Sequence, residues 1–327
     1  MRAVAVSAFR AEPALIQLPK PEPEPGGVRV KIEYAALNPS DWQTADGALE
    51  GLAPHVFPLV IGVDYAGRVD MIGSGDNRFR VGDQVFGRVT ESPVGAGTYC
   101  EYVSVPQDSA ITLIPCGLSP RTAAALPSAG MAAAQILDTA VLRGHESLLI
   151  IGAAGGVGSC LTQLASARDL RVLAVVRGDE QRRMKALGAA VTIDTTARPL
   201  EAAVREVSAG GVDALVDLVS GTPEAFAVHA ALVRDGGVAV TTRGVAGGAA
   251  VPPGVGAIDF RLEPTPVLLD VLAAGAVEGV LQVPIDVELP LEKAPQALDR
   301  NRTGGARGKT LFVLRPTRQG KGRARTR

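Results

Sequence analysis

The chain has 327 residues, 46% of them hydrophobic and 20% charged, with 33 basic and 34 acidic side chains. That length is enough for two cores, and a net charge of −1 gives the body of the protein no electrostatic hold on nucleic acid or a membrane surface. Cys100, Cys116 and Cys160 are the only cysteines and form no CxxC pair, which argues against a disulfide framework and a cysteine-rich zinc lobe.

The first residues, Met1-Arg-Ala-Val-Ala-Val-Ser7, have no long apolar stretch and no cleavage pattern. They read as a strand of the fold, and a cytoplasmic location is the expectation. Prolines crowd residues 19–25, which must be a loop, since proline cannot donate to a sheet ladder. Residues 28–34 then alternate apolar and polar, the period of a half-buried strand. Further strands are predicted over 60–69, 84–89 and 98–105, separated by turn signals such as Gly73-Ser-Gly75 and Gly82-Asp83.

From about residue 119 helical and strand patterns alternate. Residues 148–152 are a short apolar run. A helix is predicted over 156–169, with Val157, Leu161, Leu164 and Ala165 on one face. Strands follow at 171–176, 191–193, 214–217 and 238–241, with a helix at 180–187. This order predicts an α/β protein with a doubly wound parallel sheet. A helix over 266–274, a proline-rich connector, a short helix over 292–298 and a last strand over 309–314 complete the pattern. That strand is expected to return to the first domain. Residues 315–327 carry six basic side chains and no acid, and read as a solvated end.

The most informative segment is Leu148-Leu-Ile-Ile-Gly-Ala-Ala-Gly-Gly-Val-Gly-Ser159. A buried strand, a glycine turn and a helix start form a cradle for a dinucleotide pyrophosphate, because glycines admit the phosphates and the helix N-terminus offers unpaired N–H groups. Ala154, Gly155, Gly156, Val157 and Gly158 are the candidate contacts, and the first glycine of the usual GxGxxG is an alanine here. An NAD site wants an acid at the tip of the second strand. This strand ends in Arg177, with Arg182 following, which suits the 2′-phosphate of NADPH. Asp179 is the contrary signal, although it is also a natural helix N-cap. Val219, Thr241, Thr242 and Arg243 stand at other strand ends, and either line the cofactor groove or serve as loop chemistry alone.

Six motifs in order carry a family resemblance: Ala36-Leu-Asn-Pro-Ser-Asp-Trp42, Phe57-Pro-Leu-Val-Ile-Gly-Val-Asp-Tyr-Ala-Gly67, Phe79-Arg-Val-Gly-Asp-Gln-Val-Phe-Gly87, Gly97-Thr-Tyr-Cys-Glu-Tyr102, Gly152-Ala-Ala-Gly-Gly-Val-Gly158 and Gly308-Lys309. The chain resembles the medium-chain dehydrogenase/reductase superfamily, in its zinc-independent quinone oxidoreductase and enoyl reductase branch. The resemblance implies a GroES-like β-rich catalytic domain (1–120 and 262–314) and a Rossmann dinucleotide-binding domain (121–261). Residues 315–327 form a basic tail.

Zinc relatives place cysteine where this chain has Asn38 and histidine where it has Val63. Neither residue is a suitable zinc ligand, so no metal is expected. What remains suits hydride delivery from NADPH to a small-molecule quinone or enone, with no nucleic-acid or membrane partner. By the same resemblance, Asn38 could donate to the substrate carbonyl and Ser40 could relay a proton. Trp42 and Tyr65 are candidate substrate contacts. Structural alternatives stand beside each: a turn at Asn38, a helix cap at Ser40, core packing for Trp42 and Tyr65. Relatives commonly carry threonine where this chain has Ala132, near the nicotinamide. Residues 43–51 hold no aromatic of the kind some quinone reductases place there, so enone or enoyl thioester substrates stay open. A dedicated enoyl reductase on a biosynthetic intermediate and an NADPH-binding sensor are the alternative functions. A homodimer, joined through strands near 238–251, is also implied.

Overall fold

The computed structural model describes residues 1–90, 92–304 and 306–314, so the basic tail lies outside the described residues. In chain order the elements are β1 (Arg2–Val6), β2 (Ala14–Gln17), β3 (Gly27–Ala36), α1 (Pro39–Ala45), β4 (His55–Val60), β5 (Asp64–Ile72), β6 (Gln84–Arg88), β7 (Val94–Ala96), β8 (Tyr102–Pro106) and β9 (Ile111–Leu113). There follow α2 (Pro120–Ala125), α3 (Pro127–Ala140), β10 (Ser147–Ile151), α4 (Gly156–Ser166), β11 (Arg171–Val176), α5 (Gln181–Ala186), β12 (Val191–Asp194), α6 (Leu200–Val207), β13 (Val212–Asp217), α7 (Pro223–Ala230) and β14 (Val233–Thr241). The last are β15 (Gly256–Asp259), α8 (Pro266–Val277), β16 (Ile285–Pro290), α9 (Ala294–Arg302) and β17 (Lys309–Val313).

Six strands form an all-parallel sheet in the order β12-β11-β10-β13-β14-β15. Its direction of progression reverses at β10 and β13, the switch point where open α/β sheets bind ligands. Every residue of β10 is buried, because the sheet is covered on both faces. Leu148 and Ile150 pack into one core with α3, α4 and α8, while Leu149 and Ile151 pack into a second core with α6 and α7.

The GroES-like β domain has two sheets. One runs β2-β1-β4-β7; the other runs β16-β17-β3-β5-β6-β9, with β8 also on β3. As expected, β17 returns to this domain, antiparallel to β3.

The structure departs from the sequence reading in several places, among them the expected strand over 98–105, of which only β8 (Tyr102–Pro106) forms. The expected strand over 60–69 is broken at Gly62, which has φ +94° and lies on the Tyr99 ring, where a Cβ would sit 2.3 Å from a ring carbon. Any other side chain there would meet both strain and collision. β15 lies outside every strand the sequence predicts, and β16 lies within the proline-rich connector. Both are edge strands with alternating or exposed side chains, so neither carries the apolar run of an interior strand.

Candidate active site

The glycine turn lies at the C-terminal end of β10. Gly152 (φ +85°) makes the turn and Gly155 caps α4 with extended backbone. Gly158 brings the helix against the strand: a Cβ there would lie 2.5 Å from the Gly152 carbonyl oxygen and 2.6 Å from the Ala153 Cα. The first-turn N–H groups of Gly156, Val157 and Gly158 have no intrahelical acceptor. The turn therefore fits a dinucleotide pyrophosphate, with room at Gly155, where a Cβ would meet nothing closer than 3.4 Å.

At the tip of β11 the arrangement is more specific than the sequence suggested. Arg177 and Arg182 are both exposed. Two acids stand at this corner: Asp179 is exposed and accepts the Gln181 N–H (3.4 Å), while Glu180, 6% exposed, takes the N-cap position of α5 that the sequence offered to Asp179 and faces a guanidinium at each of its oxygens. Arg183 Nε lies 2.7 Å from one and Arg307 Nε 2.8 Å from the other. Arg183 also donates to the Ala154 carbonyl (2.9 Å), on the glycine turn itself. Sequence reading missed both Arg183 and Arg307. Arg307 comes from the segment that leads into β17, so only the fold brings it here.

The other strand ends line the same side of the sheet. Val219, 58% exposed, covers Gly152, where a Cβ would meet its methyl at 2.7 Å. Asp217 accepts from the Val219 and Ser220 amides and pairs with His229 Nδ1 at 2.7 Å. Burial would raise the Asp217 carboxyl, but His229, the Ser220 hydroxyl and these amides outweigh it and hold it below the usual range. Thr241 is buried and its hydroxyl accepts the Arg243 N–H at 3.1 Å. The Thr242 amide reaches the Asp217 carbonyl at 3.4 Å. Arg243 extends to Gln43 on α1; with the Gln43 amide turned so that its oxygen faces the guanidinium, that oxygen accepts at 2.7 and 3.2 Å.

Beyond the glycine turn lies a buried polar cluster. Asn38 precedes α1 as its N-cap, with its backbone N–H on Asp41 (2.7 Å). Its amide nitrogen donates to Asp64 (2.9 Å) and its amide oxygen accepts from Lys309 Nζ (2.6 Å). Lys309 Nζ also donates to the Leu37 carbonyl (2.9 Å) and stands 3.5 Å from Asp64. Asp64 further accepts from the Ser128 hydroxyl (2.6 Å), and Arg88 donates to that hydroxyl. The Lys309 stem lies against Gly156, where a Cβ would fall 2.9 Å from its Cδ.

This geometry corrects three expectations. Asn38 has no amide N–H left for a substrate carbonyl, since its amide nitrogen donates to Asp64 (2.9 Å) and to the Ala36 carbonyl (3.4 Å) while Lys309 sits on its oxygen. Trp42 spends its indole N–H on Asn301 of α9 (3.0 Å), with the Arg302 guanidinium 5.6 Å from its ring, so it ties α1 to α9. Tyr65 is fully buried in the β-domain core and presents nothing to a cleft. Ser40 is half-buried on α1, and its hydroxyl has no hydrogen-bond partner among the described residues. A zinc ion does not fit here. Val63 offers no donor atom, and the Lys309 ammonium already sits on the Asn38 oxygen and beside Asp64, where it would repel a cation. No cluster of three or more histidine, cysteine or acidic side chains able to hold a metal occurs among the described residues.

Beneath Asn38, Asp41 is fully buried, bonded to the Tyr99 hydroxyl (2.6 Å) through one oxygen. Burial pushes its carboxyl up to about 6, against the lowering effect of Tyr99 and the Asn38 amide. The folded state thus prefers the protonated acid. Its contribution to stability is whole below the ordinary value near 3.8 and is lost as pH rises through about 6. The loss is about 3 kcal/mol. Denaturant unfolding at pH 4 and pH 8 should show Asp41→Asn narrowing the difference between the two by about that amount. An unchanged difference would refute the assignment.

Matches to known proteins agree with this architecture. Residues 24–115 match the alcohol dehydrogenase GroES-like domain family, and residues 187–311 match the zinc-binding dehydrogenase family. A chloroplast envelope quinone oxidoreductase homolog of Arabidopsis thaliana is 29% identical over 318 residues, covering 90% of this chain and 92% of that protein. The 2-methylene-furan-3-one reductase of Solanum lycopersicum is 32% identical over 293 residues, covering 87% and 71%. The chain belongs to the medium-chain dehydrogenase/reductase superfamily, in its quinone oxidoreductase branch. The structure of the quinone oxidoreductase from Coxiella burnetii superposes with TM-score 0.87 at 28% identity, over 96% of this chain and 99% of that one. Membership makes the protein an oxidoreductase with a nicotinamide cofactor and a small-molecule substrate. No helix among the described residues is long and apolar enough to cross a membrane.

Proposed function

We propose that this oxidoreductase is an NADPH-dependent, zinc-independent reductase. It transfers hydride to a quinone or to the β-carbon of an α,β-unsaturated carbonyl. The observation that carries the reading is the corner at β11. Its buried acid, Glu180, is paired with Arg183 and Arg307, and its exposed acid, Asp179, accepts the Gln181 N–H of α5, while Arg177 and Arg182 stand exposed for an anionic 2′-phosphate. A free acid there would instead accept from a ribose 2′-hydroxyl. When bound, the nicotinamide supplies the hydride, while the protein orients it and sets the local charge. The relatives named as quinone oxidoreductases support the quinone arm, and the one named 2-methylene-furan-3-one reductase supports the enone arm.

Fluorescence titration should show NADPH binding at least about tenfold tighter than NADH. Arg177→Ala with Arg182→Ala should reduce that preference and leave NADH affinity nearly unchanged. Equal affinities in the wild type would refute the phosphate reading.

The reading extends to a cytoplasmic homodimer. The β15 edge pairs only with β14 among the described residues, so a second copy could extend the sheet there. Sedimentation at micromolar concentration should give twice the 33.6 kDa chain mass. A monomer would contradict it.

A further inference from the structure

We infer that Lys309 is a positioning residue which couples the cofactor-side helix α4 to the reaction-side helix α1. Lys309 opens β17 in the β domain, yet is only 3% exposed. Its four-carbon stem is the surface on which Gly156, the first residue of α4, rests. Its ammonium has three protons and three acceptors: the Leu37 carbonyl, the Asn38 amide oxygen and Asp64. Two of those acceptors form the entry to α1, so one side chain touches both the phosphate cradle and the helix carrying Asn38 and Ser40.

Alternative positioning groups are not available in the same place. Asn38 reaches Asp64 and Lys309 but not the glycine turn. Arg243 links the domains at Gln43, further along α1. Arg88 approaches Asp64 only at 3.7 Å and is otherwise engaged with Ser128. Lys309 is thus the group through which a load on the α4 N-terminus reaches the α1 cap. Asp64 and Ser128 hold the opposite side of the cluster, fixing the Asn38 rotamer.

The inference rests on the proposed dinucleotide site, so the test separates the two. Lys309→Met alone leaves the buried Asp64 carboxylate with only Arg88, 3.7 Å away, and risks misfolding. The paired change Lys309→Met with Asp64→Asn removes one charge of each sign and keeps the stem length. NADPH titration and hydrogen exchange of the α1 amides are measured on wild type and pair. In the wild type, NADPH should slow exchange across α1 by about tenfold; in the pair, NADPH should bind within about threefold of wild type yet slow α1 exchange less than about twofold. The turnover number should fall about a hundredfold in the pair with little change in the apparent KM for NADPH, as expected when a reacting geometry loosens. If the pair binds NADPH and keeps both the α1 response and wild-type turnover, Lys309 merely neutralises Asp64 and the inference is overturned. If wild type binds no NADPH, the cofactor reading fails and the inference falls with it.

Discussion

Gly158→Ala is expected to weaken NADPH binding by at least about a hundredfold, nearly 3 kcal/mol of binding free energy. The added Cβ would lie 2.5 Å from the Gly152 carbonyl oxygen and 2.6 Å from the Ala153 Cα. Both are backbone atoms of the tightest part of the turn, so no side chain can yield. α4 must move off β10, and its N-terminal amides move with it. Overpacking of this kind costs about 1–3 kcal/mol of stability, so a fall of several degrees in Tm should accompany the lost affinity. Gly155→Ala is the contrast. Its Cβ would meet only the Gly152 oxygen, at 3.4 Å. That variant should melt near wild type, and any affinity it loses reports on the approach of the ligand itself. Unimpaired NADPH binding by Gly158→Ala would mean that the cofactor is held elsewhere.

The second large effect belongs to the buried ion pair. Lys309→Met removes an ammonium whose partners are themselves buried, leaving Asp64, with no solvent exposure at all, with Arg88, 3.7 Å away, as its remaining counter-charge. Breaking such a pair from one side typically costs about 3–5 kcal/mol. Removing both charges should recover most of that loss, because the remaining groups, Ser128 and Asn38, can hydrogen-bond a neutral amide at position 64. Urea denaturation of the two single variants and the pair gives the coupling energy directly. Additive losses in the cycle would show that the two residues do not stabilise one another.

The parallel sheet was legible because β10 and β11 are unbroken apolar runs bounded by turn residues, which is what a sheet buried on both faces demands. β15 and β16 were missed at the edges of their sheets, where they expose half or more of their side chains: Gly256-Ala-Ile-Asp259 is too short to show a period, whereas Ile285-Asp-Val-Glu-Leu-Pro290 alternates apolar and polar, a signal the sequence did carry. The break at Gly62 depends on the Tyr99 ring, which packs there only after folding.

The site divides in the same way. The glycine turn is local and could be read from the twelve consecutive residues 148–159. Asn38 could be singled out, but its partners lie 26 and 271 residues away, so the sequence did not reveal that its amide was already committed. Asp64 stands in one quoted motif and Lys309 in another. A lysine opening the strand Lys309-Thr-Leu-Phe-Val313, which ends in three apolar residues, was the available signal. A charge at the head of a buried strand needs a buried partner. Tyr65 and Trp42 illustrate the opposite error. Aromatic residues in a motif near a site are core or brace as readily as they are substrate contacts, and only the neighbours decide.

The most direct test of the account is NADPH consumption, followed by absorbance with a panel of quinones and enones and a strong zinc chelator present. The account predicts turnover with at least one of these acceptors, unaffected by the chelator and abolished in Gly158→Ala. No consumption with any acceptor, or consumption that appears only when zinc is added back, would contradict it.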